Sequence, residues 1–185
     1  GRAAMWWSDM LWARGETDEA LATLELALDE LEPPHATVLA RRLALRWREI
    51  GTPSRAAELL EPRLTGIAPP EEWLLRLDLS ATYVELGRAE DAAEVVRPLL
   101  ENSAVPHSLR ANGWLLRARA EASAGRTQSA EAAFAQARQL AEGSGAETEI
   151  LFELAAHRLN TGQLESAQEL IRTGLQRHPR HRRGG

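Results

Sequence analysis

Few residues of this chain stand in arrangements that chemistry would require. Glu149 and Glu153 are four apart, one helical turn, close enough to work as a general acid and base. Two solvated carboxylates on an exposed helix face, or at the rim of a groove, show the same spacing, and that is the reading adopted. His178 and His181 form an HxxH pair inside a basic, Pro-containing stretch with no carboxylate partner, so they are read as solvated rather than metal-binding. Gly143-Ser-Gly145 lacks the GxSxG spacing of a nucleophile turn and reads as a linker. All 22 basic residues are Arg, which excludes the Lys of a GxxxxGK[ST] phosphate loop, and neither GxGxxG nor HExxH occurs. Without Cys, disulfides, thiolate catalysis and Cys-containing zinc sites are excluded. The chain is therefore expected not to be an enzyme, with no catalytic residue, metal site or cofactor.

Charge and hydropathy narrow the partners. The 27 acidic residues outnumber the basic ones, leaving a formal charge of −5 and a pI near 5.6. Such a chain does not attract a phosphate backbone by bulk charge, so no nucleic-acid partner is expected. A 44% hydrophobic share at a mean hydropathy of −0.35 supports a packed core. No apolar run approaches the ~20 residues of a membrane span, and no membrane insertion is expected. The first residues lack the basic, apolar and small-residue order of a signal peptide. Arg-only basicity with abundant Ala and Leu points to a GC-rich, bacterial genome, and leaves cytoplasm and periplasm both open.

The elements that would position any site emerge from a repeated phrase. Gly15, Gly51, Gly87, Gly125 and Gly162 each stand five residues before an Ala, namely Ala20, Ala56, Ala92, Ala130 and Ala167. The Gly-to-Gly spacings are 36, 36, 38 and 37. Each Gly lies between two helical stretches and reads as the turn of a helical hairpin. Thr17, Thr52 and Thr127 are candidate caps for the second helices, with Pro53 in a first turn. Pro33-Pro34, Pro69-Pro70, Val105-Pro106 and Gly143-Ser-Gly145 separate the hairpins, and Ser144 with Glu147 suggests a capping box. Ten helices are predicted, near 2–14, 18–31, 35–50, 53–64, 70–86, 89–101, 107–124, 127–141, 145–160 and 163–177, and no strand. Repeats fall at 1–34, 35–69, 70–106, 107–144 and 145–179, with a basic tail at 180–185.

This pattern resembles the tetratricopeptide repeat (TPR) family, whose unit is a helix-turn-helix of about 34 residues. The resemblance rests on Leu11, Gly15, Ala20, Leu24 and Ala27; on Tyr83, Gly87, Ala92 and Val96; and on Trp114, Ala118, Gly125, Ala130, Phe134 and Ala137. In the last unit it rests on Leu151, Leu154, Ala155, Gly162, Ala167, Ile171 and Pro179. It implies an all-α fold, a right-handed superhelical α-solenoid of five helix-turn-helix repeats with a concave inner face. Departures are the long period, Arg117 and Glu121 at places usually apolar, and Pro62 and Pro98 inside second helices. Kinks or early helix ends are predicted at both Pro residues.

Family members line the concave face with the first helix of each hairpin. Carried onto this chain, that face places Arg41, Leu45 and Arg48, then Leu74, Leu77 and Val84, then Leu115, Arg119 and Phe152 in a peptide-binding groove. The three Arg would orient a protein or peptide carrying an acidic group. Alternatively, the Leu residues pack within the fold and the Arg stems cover apolar surface. The Lys- and Asn-based carboxylate clamp of chaperone-binding members is not recognisable. Trp6, Trp7 and Trp12 crowd the first helix, so Trp6, Trp7 and Leu175 are candidates for end-face self-association. The chain is read as a segment of a longer protein. The function implied is a non-catalytic protein-binding scaffold or adaptor. The alternatives are an oligomerising module of a bacterial secretion or envelope assembly, and a regulatory sensor region of a larger enzyme or transcription factor.

Overall fold

The computed structural model describes residues 1–31 and 35–177. Its ten α-helices are α1 (Arg2–Ala13), α2 (Thr17–Asp29), α3 (His35–Glu49), α4 (Pro53–Leu60), α5 (Glu71–Glu85), α6 (Ala89–Glu101), α7 (His107–Ser123), α8 (Thr127–Ala141), α9 (Ala146–Asn160) and α10 (Leu164–Arg177). A 3-10 helix, Glu61–Leu64, extends α4, and no strand occurs among the described residues. Helix order and bounds agree with the sequence expectation to within a residue or two, except at α4.

The repeated Gly and Ala explain one another. The five turn Gly residues have φ between 70° and 81°, the left-handed region where a side chain is strained. At Gly125 the turn closes by two hydrogen bonds: Gly125 donates to the Ala122 carbonyl at 3.0 Å and Arg126 to the Glu121 carbonyl at 2.9 Å. The chain reverses, and within each unit the Ala five residues on arrives against the helix just left, α2 on α1, α4 on α3, α8 on α7 and α10 on α9. Ala20, Ala56, Ala92, Ala130 and Ala167 are all fully buried, and in the hairpins that lie within one unit a single Cβ lets the two helix backbones approach.

Two expectations about helix ends need correction. The Thr residues do not cap: no side-chain cap bond forms at α2, α4 or α8, and the Thr52 hydroxyl donates back to the Trp47 carbonyl at 2.8 Å. The capping box is absent as well, since α9 starts one residue after Gly145. Ser144 Oγ donates to the Ala141 carbonyl, and Glu147 accepts from the Gly143 N–H. The two Pro residues behave differently. At Pro62 the α-helix has ended at Leu60, as predicted, and nothing in the 3-10 turn is buried. At Pro98, α6 continues to Glu101. The continuation has a physical cause: Pro98 is exposed, so the Glu94 carbonyl it leaves unbonded can meet water, while Leu99 and Leu100 beyond it are buried.

Contacts divide the chain into two compact units, Gly1–Leu86 and Gly87 onward. In the first, α2 packs on α3 and α4 on α5; in the second, α6 packs on α7 and α8 on α9. Phe134 anchors the second unit's core among Leu115, Ala118, Leu151 and Leu154.

Candidate functional site

In the first unit α3 and α5 lie side by side. The spacing i, i+3, i+7, i+10 puts Val38, Arg41, Leu45 and Arg48 on one side of α3. Val38 and Leu45 are exposed, whereas Arg41 and Arg48 are partly buried. Both Arg reach across to α5. Arg41 donates through Nε to Asp78, and Arg48 donates through Nε and Nη2 to one oxygen of Glu85, at 3.0 and 2.5 Å. Burial pushes the Asp78 carboxyl above its ordinary range, against the pull of Arg41 and Arg48. On α5, Leu74 and Val84 are partly buried, and Leu77, only 5% exposed, belongs to the core.

In the second unit Arg119 on α7 donates to Glu153 on α9 at 2.9 and 3.3 Å and to Glu149 at 3.4 Å. The two carboxylates one turn apart share one guanidinium. Leu115, 4% exposed, is core, while Phe152 is partly buried and lines a depression of about 490 Å³ with Gly145, Thr148, Glu149, Glu153 and Ala156. Gly174 faces its ring, where a Cβ would stand 3.3 Å away, so α10 comes close to Phe152 at that point.

The expected groove residues thus fall into two sets, Arg41, Leu45, Arg48, Leu74, Leu77 and Val84 in the first unit and Leu115, Arg119 and Phe152 in the second. Each of the three Arg is ion-paired within its own unit. Trp6 and Trp7 are exposed, their rings 6.4 Å apart, and Leu175 on α10 is partly buried. His178, His181 and the basic tail lie outside the described residues.

One cluster is not anticipated by the sequence motifs. Arg46 is buried, stacks 4.3 Å from the centre of the Trp12 ring, and donates to Asp9 and Glu49, each at 2.7 Å, tying α3 to α1. Its Nε has no acceptor. A signal for it exists in the sequence: Asp9 and Arg46 are 37 residues apart, one repeat, and so are Arg41 and Asp78. Arg126 makes a similar tie, binding Glu121 of α7 at 2.5 Å and Glu90 of α6 at 2.7 Å. Glu121, which departs from the family pattern, is the buried partner in that tie.

No protein-family model and no curated protein sequence matches the chain. Solved structures do. The nearly identical TPR-like repeats of a kinesin light chain candidate from Podosopora anserina superpose with a TM-score of 0.74 at 20% identity, covering 99% of this chain and 97% of that one. A thermophilic TPR protein of Thermus thermophilus gives 0.74 at 25% identity over 96% of this chain and 91% of that one. MamA (residues 41 to the end) from Desulfovibrio magneticus gives 0.67 at 15% identity, covering 100% and 97%. Full-length likeness, ten helices and the Gly-to-Ala register together make the chain a tetratricopeptide-like helical-repeat protein in fold.

Proposed function

We propose that the chain is a non-catalytic protein-binding scaffold, and that the α3–α5 face of its first unit receives a peptide segment. The observation that carries this is the exposure of Val38 and Leu45 on a helix whose buried face is already complete. With Leu74 and Val84 beside them, they make an apolar strip, and apolar strips on a stable scaffold are where partner side chains gain most from leaving water. The ion pairs to Asp78 and Glu85 hold the two helices at a fixed spacing beneath it.

The same pairs set the terms for an acidic group on the partner. A guanidinium carries five N–H donors, and Arg41 spends one on Asp78. A partner carboxylate therefore binds as a second acceptor alongside Asp78 and Glu85, and apolar contact supplies the larger share of affinity.

A random peptide library displayed against the purified chain tests the reading. Peptides with apolar residues at helical or extended spacing are expected to be enriched, and Leu45→Glu is expected to weaken them at least about tenfold. Arg41→Ala should weaken the acidic members selectively. Binding that survives Leu45→Glu unchanged would overturn the assignment of this face.

A further inference from the structure

The second helix of the second hairpin is short. α4 has 8 residues, where α2, α6, α8 and α10 have 13 to 15. After Leu60 the chain runs through the 3-10 turn that holds Pro62 and then through residues 65–70 before α5 begins. The turns that a full-length second helix would add are missing. A cavity of about 550 Å³ lies there, between the start of α3, the 3-10 turn and the start of α5. Helices α3, α4 and α5 pack on one another, so its walls are held within the first unit. Its size falls in the range of small-ligand sites, about 300–1,000 Å³.

The lining is mixed. Ala36, Pro62, Ile67 and Ala68 make it apolar on several sides. Thr37, which also lines it, is only 5% exposed. The hydroxyls of Thr23 and Thr82 donate to the carbonyl four residues back, but that of Thr37 has no acceptor among the described residues.

Two opposite charges complete the lining, Arg63 from the 3-10 turn and Glu71 from the first turn of α5, both partly buried. The Arg residues of α3, Arg41, Arg42, Arg46 and Arg48, all pair with carboxylates, as does Arg76 of α5. Arg63 has no such pair among the described residues. It donates through Nη1 to the Leu59 carbonyl at 2.5 Å, which leaves four of its five N–H groups. The neighbouring carboxylates are engaged elsewhere, Glu72 by Arg76 and Glu61 by the Tyr83 hydroxyl, each at 2.8 Å. Arg63 and Glu71 therefore share one cavity without pairing with each other.

We propose that this cavity binds a small zwitterion, an apolar amino acid or dipeptide. Its carboxylate meets Arg63 and the Thr37 hydroxyl, its ammonium meets Glu71, and its side chains lie against Ala36, Pro62 and Ile67. Each charged contact is a charge-assisted hydrogen bond, the stronger kind, and both charges of the cavity are matched. A simple anion would satisfy Arg63 and leave Glu71 facing a like charge. The site shares no residue with the apolar strip of α3 and α5 and does not rest on that reading.

NMR titration of the isotope-labelled chain with leucyl-leucine is expected to move the amide signals of Thr65, Gly66 and Ile67 saturably, with a Kd below about 1 mM. A parallel titration with leucine separates the two sources: whichever ligand binds more tightly is the one the cavity fits. N-acetyl-leucyl-leucine, which lacks the ammonium, and leucyl-leucinamide, which lacks the carboxylate, should each bind at least about tenfold more weakly than leucyl-leucine. Neither Arg63 nor Glu71 is in the core, so Arg63→Ala and Glu71→Gln should keep the circular dichroism spectrum. Arg63→Ala should weaken leucyl-leucine at least about tenfold, whereas Glu71→Gln should weaken leucyl-leucine and leave the N-acetyl peptide unchanged. No saturable shift with either ligand up to about 10 mM overturns the proposal. Binding of N-acetyl-leucyl-leucine as tight as that of leucyl-leucine also overturns it, in favour of a carboxylate site at Arg63 alone.

Discussion

Glu131 and Arg158 form a bidentate pair between α8 and α9, at 2.8 and 3.0 Å, and both side chains keep only about a quarter of their surface in water. The hydrogen bond from Arg158 holds the Glu131 carboxyl below its ordinary range, with burial working partly against it. A lowered folded-state value means that the contribution is present above the unfolded carboxylate's pKa and is lost as pH falls through the folded one. Glu131→Gln keeps one acceptor oxygen but loses the charge, and is expected to cost about 1 kcal/mol at pH 7. The gap between variant and parent should close as pH falls below about 4.3. Urea unfolding at pH 7 and at pH 3 checks this; an equal gap at both would mean that the charge contributes nothing. The paired Arg are hard to foresee for a reason at the same scale. Arg41, Arg48 and Arg119 are placed by the stripe of their own helices, and their partners Asp78, Glu85, Glu149 and Glu153 sit on the next first helix. Only the offset of about one repeat connects them.

At the scale of the element, the five Gly-to-Ala phrases make the helices legible, because a left-handed turn and a close backbone approach each demand one residue type. The path of the chain beyond a Pro is less legible. Pro62 and Pro98 stand in parallel phrases, yet only the first ends its α-helix, since the outcome depends on whether apolar residues beyond the Pro have a core to enter. Leu99 and Leu100 do; Arg63 and Leu64 are left partly exposed. Pro98→Ala restores an N–H for the Glu94 carbonyl inside a continuing helix. It is expected to stabilise by about 1–2 kcal/mol, the helix-interior penalty of Pro less its stiffening of the unfolded chain. Pro62→Ala, where the α-helix has already stopped, should change stability by less than about 0.5 kcal/mol. Denaturation midpoints of the two variants compare them directly, and equal gains would show that α6 is as interrupted as α4. The caps are hidden for a related reason. The Thr52 backbone N–H and hydroxyl both go to the Trp47 carbonyl, so the closing of the previous helix claims the side chain that sequence alone assigns to the next.

For the molecule as a whole, a repeat fold makes damage local. Each hairpin contacts its neighbours, so stability is close to a sum of repeat and junction contributions rather than one global quantity. Phe134 joins its own hairpin to the next: it is buried among Leu115, Ala118, Leu151 and Leu154 and meets His157 across the α8–α9 junction. Phe134→Ala removes a ring from a site whose neighbours are held on rigid helices, and is expected to cost about 3–5 kcal/mol. That loss should appear as lowered hydrogen-exchange protection in α7, α8 and α9. Amides of α2 and α3, whose core of Leu24, Leu39 and Leu43 lies in the other compact unit, should keep their protection. Native-state exchange read helix by helix distinguishes the two cases. A uniform drop from α2 through α9 would mean that the two units unfold as one, and the nearest-neighbour account of this chain would fail.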